Sequence, residues 1–566
     1  FPKVITATGT AGRNLITQEV TYNLMLFEQR RALHLAVAEW FENNVKDLSP
    51  YYALVAHHFV RAEAHARAIK YLLRAGAQAL ASSANAEALT FFSEAARLDM
   101  ARPDGPDVSC QSQCAIQMGR AHYALARIDE SDREFRRGLA TTQAAWPPTR
   151  YSTVRAALRE AAIAALHHQI PSRFAQRVSD EETAELRFLA GAYNTLVQIN
   201  YLRNDKLGIS FCGLKALNLA ERAGQSVELA EALGCMAVVA SLASLRAAAA
   251  SYAARAVQLL PLIADPLRRA GVLIWMLVYQ GSACDWAGGI KAAEEIVRLS
   301  ERVGATRYLQ AGLHGVGRCA VRWGRFSVAA TAYERMLTLG RSADNGQAAA
   351  WALCGLLELQ LAPHREQWAE RIIELREVLV AERGRDHLTE TDYAMSHGRL
   401  AAALWRLERY DEAEAEAAAS AERSLKIDTV ATHTVDPLTN AAEVYVGQWE
   451  RRGELPLAER RLLERIVRAL MRYGSKMDFC RPIARRLRGN FRWLTGRRHS
   501  ALADWTDALA AAEAHDMPYD AARSHHMLAA HLPKGEARRQ HHLDAARALY
   551  TKLDASFDLQ TLERLH

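Results

Sequence analysis

Four pairs of adjacent histidines are the first feature of this sequence that could do chemistry. They are His57-His58, His167-His168, His525-His526 and His541-His542. Neighbouring side chains on a helix point about 100° apart, so a pair alone cannot hold one metal ion. The sequence also lacks a His-Glu-x-x-His motif. We therefore predict no metal site and interpret these histidines as side chains packed between helices.

The sequence contains no motif that predicts catalysis. It has no G-x-S-x-G nucleophile elbow, and without a single Gly-Lys pair a G-x-x-x-x-G-K-[ST] phosphate loop is impossible. Cys110 and Cys114 have no second pair at zinc spacing, and most cysteines lie in apolar helical patterns, as reduced thiols do. The carboxylates of the acidic run at 411–416 would spread around a helix, which favours a solvated face. We predict that the chain is not an enzyme, has no catalytic residues and needs no cofactor of its own.

An arginine-rich stretch at 481–498 has two interpretations. Its seven arginines, with Phe491 and Trp493 between them, could form a face for nucleic acid or another anion. Alternatively it is ordinary surface with Trp493 partly buried. The net charge of +7 over 566 residues is mild for a nucleic-acid-binding protein. We therefore do not expect nucleic acid as the main partner.

The elements that position these residues are helices. Apolar residues recur every three or four positions, prolines separate segments of ordinary helix length, and alanine is abundant. The composition provides enough apolar residues for a continuous core. No run of 18 uncharged apolar residues occurs, so we expect no membrane span and a cytoplasmic protein. The predicted fold class is all-α.

A recurring pattern of small and aromatic residues predicts how the helices pair. In a tetratricopeptide unit, a small residue is followed twelve positions later by a second small residue. An aromatic residue comes four positions after the second one, and a third small residue comes three positions after the aromatic. The matches are Gly76/Ala88/Phe92/Ala95 (overlapping Ala56/Ala68/Leu72/Ala75), Gly119/Ser131/Phe135/Gly138, Gly317/Ala329/Tyr333, Ala401/Ala413/Ala417/Ser420 and Gly489/Ala501/Trp505/Ala508. Their period of about 41 residues exceeds the 34 of a strict repeat. We predict an irregular, tetratricopeptide-like α-solenoid of antiparallel helix pairs.

The repeat geometry also predicts a partner-binding groove. In such arrays the first helix of each pair lines the concave face, and the positions one, four and five after its small residue face inward. These positions give Arg120, Tyr123, Arg318, Arg322, Trp405, Arg406 and Trp493. Arginine forks and aromatic rings suit an acidic peptide of a protein partner. The alternative is that these arginines are merely solvated in an arginine-rich protein.

Residues 14–98 resemble a known family. The shared phrases are Gln18-Glu19-x-x-Tyr22, Arg30-Arg31-x-Leu33-His34, Ala56-His57-His58-Phe59 and Asn85-Ala86-Glu87-Ala88-x-x-Phe91. This run is similar to STAND-class signal-transduction ATPases, especially those with an N-terminal class III adenylate/guanylate cyclase domain. The resemblance implies a winged-helix/ATPase-associated remnant at 1–45, followed by the first helix pairs of the array at 46–101. The repeat pattern predicts a tetratricopeptide-like solenoid at 102–566. It also implies that His57 packs beside Phe59.

The resemblance further implies a function. The chain would be a non-catalytic sensor array that regulates an upstream ATPase and a nucleotidyl cyclase. ATP and Mg²⁺ would belong to those upstream modules, which this chain lacks. Because the sequence starts with Phe1-Pro2 rather than Met, we expect a fragment of a longer protein. Two alternatives remain open: the sensor array of a large ATP-dependent transcription activator, and a stand-alone scaffold.

Overall fold

The computed structural model describes residues 22–125, 127–169, 179–203, 205–359, 365–383, 388–427 and 432–565. Within these ranges all regular structure is helical, and consecutive helices pack against each other. The prediction of an all-α solenoid is therefore confirmed. The chain divides into two compact units, residues 1–152 and 153–566.

The first unit contains six helices among its described residues, and a seventh begins in it. They are α1 (Phe27–Asn44), α2 (Tyr52–Arg61), α3 (His65–Ala81), α4 (Asn85–Met100), α5 (Val108–Ala124), α6 (Ile128–Leu139) and α7 (Arg150–Gln169), with a 3₁₀ turn at Ser49–Tyr51. The fully buried rings of Phe59 and Tyr71 stack with centroids 5.6 Å apart. The hydroxyl of Tyr71 donates a hydrogen bond of 2.6 Å to Glu42, so the core of this unit joins α1, α2 and α3.

The second unit includes most of α7 and is also built of paired helices. Its helices are α8 (Asp180–Leu202), α9 (Lys206–Ala223), α10 (Val227–Leu242), α11 (Arg246–Leu259), α12 (Pro266–Ser282), α13 (Trp286–Val303), α14 (Thr306–Arg322), α15 (Phe326–Ser342), α16 (Gly346–Glu358), α17 (Arg365–Ala381), α18 (Glu390–Arg406), α19 (Tyr410–Ser424), α20 (Val435–Arg452), α21 (Leu457–Gly474), α22 (Cys480–Leu494), α23 (Arg498–Ala514), α24 (Pro518–His531), α25 (Ala537–Lys552) and α26 (Ser556–Glu563). Short 3₁₀ turns lie at Leu260–Leu262 and Thr432–Thr434. From α8 to α24, each even-numbered helix also packs against the next even-numbered helix. These helices therefore form a continuous inner layer.

The small residues of the repeat pattern allow the paired helices to approach each other closely. A β-carbon built on Gly119 would lie 3.0 Å from the ring of Phe135, and one on Gly317 would lie 2.4 Å from Tyr333. The hydroxyl of Ser131 donates a hydrogen bond of 2.7 Å to the carbonyl oxygen of Gly119. The predicted pairing of small and aromatic residues is therefore confirmed at these crossings, where each aromatic ring fills the space that the missing side chain leaves.

Turns of three residues connect many of the paired helices, and the middle residue of each has a left-handed backbone. These middle residues are Glu63, Ser83, Ser244, Cys284, Gly324, Asp344, Glu408, Gly496, Asp516 and Asp554. Glycine adopts this conformation without strain, whereas other residues adopt it at a modest energetic cost.

No helix in the described ranges combines the length and the apolar character needed to cross a bilayer. All eight cysteines are free thiols, and seven of them are buried; Cys284 is half-buried. Burial raises the pKa of Cys235 to about 12. These thiols therefore contribute to the packing of the core.

Candidate functional site in the interior of the second unit

Arginines predicted to line a groove lie on the inner layer of the second unit, but they are paired within the chain. Arg322, at the end of α14, forms a close ion pair with Asp436 of α20. Arg399 of α18 lies 3.7 Å from the same carboxylate and 2.6 Å from Glu358. Burial opposes ionisation of Asp436, but the charges of Arg322, Arg318 and Arg399 hold its pKa well below the usual range.

Arg318 lies one turn before Arg322 on α14. Its Nη1 is 2.6 Å from Nδ1 of His433, and its Nη2 is 3.8 Å from Asp436. Burial and the charge of Arg318 lower the pKa of His433 to about 3. The imidazole is therefore neutral, so its Nδ1 can accept the hydrogen bond that Arg318 donates.

Arg406 forms a second polar link across the interior. Its Nη2 donates a hydrogen bond of 3.3 Å to the hydroxyl of Tyr519 on α24, and it lies 3.9 Å from Asp558 on α26. Tyr519 in turn donates a 3.0 Å hydrogen bond to Asp558. The neighbouring Trp405 packs over Gly447 of α20, where an added β-carbon would lie 2.3 Å from its ring.

Reasoning from the small-residue positions missed four acids and three arginines of this interior, among them Glu443, Arg486 and Arg523. Glu443 of α20 lies 2.8 Å from Nη2 of Arg486 on α22 and 2.7 Å from Nη1 of Arg523 on α24. Burial raises the pKa of Glu443, but the positive charges of Arg523 and Arg486 outweigh this effect and lower the pKa to about 2. A search of the first helices for acids, rather than for arginines and aromatics alone, would have found Glu443.

These charged side chains surround a cavity of about 100 Å³. It is lined mostly by α14, α16, α18, α20, α22 and α24, and we call it the interior cavity. Five arginines and four carboxylates contribute to its wall. Arg322, Trp405 and Arg406, three of the predicted groove residues, are among the lining residues. The first helices therefore enclose a small polar chamber in this part of the array.

Trp493 does not line the interior cavity. Its ring stacks on His531 with centroids 4.3 Å apart, lies near Trp505, and carries the guanidinium of Arg498 at 5.3 Å. The ring is half-buried. This placement agrees with the alternative in which Trp493 is partly buried.

The arginine-rich stretch is largely neutralised by carboxylates of the same unit. Asp504, 2% exposed, accepts hydrogen bonds from Arg488 Nε at 2.9 Å, Arg492 Nη1 at 2.8 Å and Arg485 Nη1 at 3.4 Å. Arg481 lies 3.1 Å from Asp478. A polyanion would have to compete with these internal acids, which favours the ordinary-surface interpretation.

The acidic run on α19 is also paired. Glu412 and Glu416 lie 3.1 and 3.2 Å from Arg376, and Glu414 lies 3.0 Å from Arg452. Arginines of α17 and α20 therefore reach these three carboxylates, although the side chain of Glu412 is still 43% exposed. The expectation of a surface face rather than an active site stays a prediction.

The two remaining predicted groove residues belong to the first unit. Arg120 and Tyr123 lie on α5 and are half-buried. Nη1 of Arg120 donates a hydrogen bond of 3.2 Å to Gln117. Their role in partner binding remains a prediction, as it does for the other five predicted groove residues.

Histidines of three of the four adjacent pairs lie in two clusters, one in each unit, whereas Nδ1 of His167 is 2.9 Å from Glu221. Nδ1 of His34 is 2.8 Å from Nδ1 of His58, and the same atoms of His525 and His542 are also 2.8 Å apart. No group of three or more His, Cys, Asp or Glu in the described ranges could hold a metal ion. His57 is exposed whereas Phe59 is buried, so the prediction that they pack together is wrong.

Polar contacts also join turns that are far apart in the chain. Trp286 Nε1 donates a hydrogen bond of 2.8 Å to the carbonyl oxygen of His515, and Trp323 Nε1 donates one to Asp516. Arg246 lies 2.6 Å from Asp478. We call these contacts, together with Arg322–Asp436 and Arg406–Tyr519, the long-range bridges. They join residues 113 to 232 positions apart.

Comparison with known proteins gives little further information. No family model matches the chain, and no curated protein matches it. Among solved structures it is similar to a protein described as "Circular tandem repeat protein with novel repeat topology and enhanced subunit contact surfaces". The identity is 12%, 95% of this chain and 93% of that chain are covered, and the TM-score is 0.17. A TM-score this low supports no statement about function.

Proposed function

We propose that this chain is a non-catalytic, cytoplasmic sensor and protein-interaction array whose second unit switches between a closed and an open conformation. The observation that carries this proposal is the set of long-range bridges. In a simple solenoid each repeat contacts only its neighbours. Here polar contacts hold distant repeats together, so a ligand that exchanges them would change the shape of the unit.

The chemistry of the bridges supports an exchange with an acidic partner. Asp436 and Asp558 interact with Arg322 and Arg406 as carboxylates of a bound peptide would. Buried ion pairs are close to neutral in net free energy, because desolvation offsets their attraction. The carboxylates of a partner could therefore replace Asp436 and Asp558 beside these arginines. The net change in free energy for this exchange would be small. This keeps the predicted groove as a binding surface in the open conformation.

The finer part of the proposal is that the array regulates an ATPase and a nucleotidyl cyclase in the same polypeptide. It is supported by the resemblance of residues 14–98 of this chain to STAND-class proteins. Residues 14–21 of that segment lie outside the described ranges. Sequencing the gene on both sides of the codons for Phe1 and His566 tests it. A P-loop ATPase and a class III cyclase upstream are expected. A helix-turn-helix domain downstream would instead favour a transcription activator, and neither domain would favour a scaffold.

Small-angle X-ray scattering tests the closed conformation. The variant Arg246→Gln/Asp516→Gly removes two bridges, and glycine preserves the left-handed backbone at 516. We expect its radius of gyration to exceed that of the wild type. The control Arg335→Gln/Asp344→Gly changes the same residue types: Arg335 pairs with Glu301 of a nearby helix, and Asp344 occupies the equivalent turn position. Equal radii for all three proteins would refute the bridged closed state.

A further inference from the structure

Two buried hydrogen-bond donors in the wall of the interior cavity have no acceptor. They are Nε of Arg486 and Nδ2 of Asn440. Arg486 is 2% exposed and Asn440 is 5% exposed, and both line the cavity. More than nine-tenths of buried polar groups in proteins have a partner, so these two donors need an explanation. Because both atoms donate, the missing partner must offer acceptor atoms.

The charge of the cavity wall points to an anion. Its five arginines exceed its four carboxylates by one positive charge, before Asp558, which lies 3.9 Å from Arg406 just outside the lining, is counted. Glu443, Asp436 and Glu358 already interact with arginines of the wall. Burial raises the pKa of the fourth carboxylate, Asp520, which favours its neutral form and increases the positive excess.

The size of the cavity limits what can bind. By this measure one water molecule needs at least about 10–15 Å³, so a volume of about 100 Å³ holds several. The cavity can therefore take a small polyatomic ion. It suits one compact group with several acceptor oxygens, and arginine forks match the geometry of such oxyanions.

We propose that the interior cavity binds a small oxyanion of the phosphate type, whose oxygens accept hydrogen bonds from Nε of Arg486 and Nδ2 of Asn440. The anion is either free inorganic phosphate or the terminal phosphate of a small metabolite. It joins α20 and α22, which carry Asn440 and Arg486, to the helices that carry the other arginines. The inference deepens the proposed sensor function and rests on it for its biological meaning: the anion is a small-molecule signal that stabilises the closed conformation.

Isothermal titration calorimetry on the whole chain tests the site. Inorganic phosphate and glycerol phosphate are titrated separately against a chloride solution of equal ionic strength. We expect saturable binding of phosphate by the wild type. Arg486→Lys keeps the charge beside Glu443 but removes Nε, and Asn440→Leu removes the amide donor. Each variant should bind at least about tenfold more weakly, as expected when one of two buried charge-assisted or amide hydrogen bonds is lost.

The matched control is Arg488→Lys. Arg488 lies on the same helix and is also paired, but with Asp504 outside the cavity. This variant should bind phosphate like the wild type, and the melting temperature of each variant without phosphate checks that it is folded. Binding of phosphate but not of glycerol phosphate identifies the free ion as the ligand, whereas stronger binding of glycerol phosphate identifies a phosphate monoester.

Two results would overturn the proposal. Absence of phosphate binding by the wild type would mean that ordered water fills the cavity. Unchanged binding by both Arg486→Lys and Asn440→Leu would place the anion at another site. Because the scattering experiment on the bridges contains no phosphate, a failure of the anion site can be distinguished from a failure of the closed conformation.

Discussion

The indole ring of Trp505 lies directly against the backbone of Gly489, so that a β-carbon built on the glycine would fall 2.4 Å from the indole Nε1. The same indole nitrogen donates a hydrogen bond of 2.9 Å to Asn490. Trp505 is fully buried. The crossing of α22 and α23 therefore depends on one absent methyl group.

Replacing this glycine should destabilise the fold. We expect Gly489→Ala to lower the free energy of unfolding by about 1–3 kcal/mol, because Trp505 must leave its position. Gly281→Ala is the control: Gly281 also lies on a helix, with no atom within 4 Å of the added carbon. It should be neutral or raise stability by up to about 1 kcal/mol. Urea denaturation measures both, and a Gly489→Ala protein as stable as the wild type contradicts the packing.

The neutral state of His433 predicts a loss of stability in mild acid. Its pKa is about 3 in the folded chain, whereas an unfolded histidine titrates near 6.5. Protons therefore bind the unfolded state preferentially, and stability should fall as the pH falls from about 6.5 towards 3. The depressed pKa of Glu443 acts later, since its contribution is lost only below about pH 4.5.

The variant His433→Asn tests this assignment. Asparagine can still accept a hydrogen bond from Arg318 but does not titrate. We expect the stability difference between pH 7 and pH 5 to shrink by up to about 2 kcal/mol. His499→Asn changes an exposed histidine and serves as the control. Thermal or urea unfolding at both pH values measures the effect, and an identical pH dependence in the wild type and His433→Asn would contradict it.

Asp504 should be important for stability because three arginines depend on it. Asp504→Asn leaves Arg485, Arg488 and Arg492 without their shared counter-charge, and we expect a loss of about 2–4 kcal/mol. Asp507→Asn is the control, since that carboxylate is 59% exposed and lies 3.3 Å from Arg485; less than about 1 kcal/mol is expected. Stronger retention of Asp504→Asn on heparin would show in addition that the internal acid masks a basic surface.

The buried cysteines should react slowly with thiol reagents. The thiolate is the reactive form, and burial raises the pKa of Cys235, Cys319 and Cys354 to about 12. At pH 8 we expect the native chain to react slowly with dithionitrobenzoate. All eight cysteines should react at once after denaturation. Rapid reaction of several thiols in the native chain would mean that these helices open readily.

The sequence was informative where a residue type has one geometric consequence. A helix crossing as close as that of Gly317 and Tyr333 requires a missing side chain, so spacing alone located it. The partners of Arg322 and Arg406 could not be found this way. Asp436 is 114 residues from Arg322, and their contact depends on the small rotation between successive helix pairs, which no local spacing encodes. The turn centred on Glu63 gave no signal either, because glutamate does not favour a left-handed backbone.

The hydrogen bond from Trp286 to the carbonyl of His515 has a consequence for synthesis of the chain on the ribosome. The two residues are 229 positions apart. At roughly 5–20 residues per second, α13 must wait about 10–45 s before its partner has been translated. During that interval the earlier helix pairs can fold on their neighbours, but the edge that later meets the turn at 515–517 stays uncovered. The helices therefore assemble in order from the amino end of the chain. The second unit cannot close until its last quarter has left the ribosome.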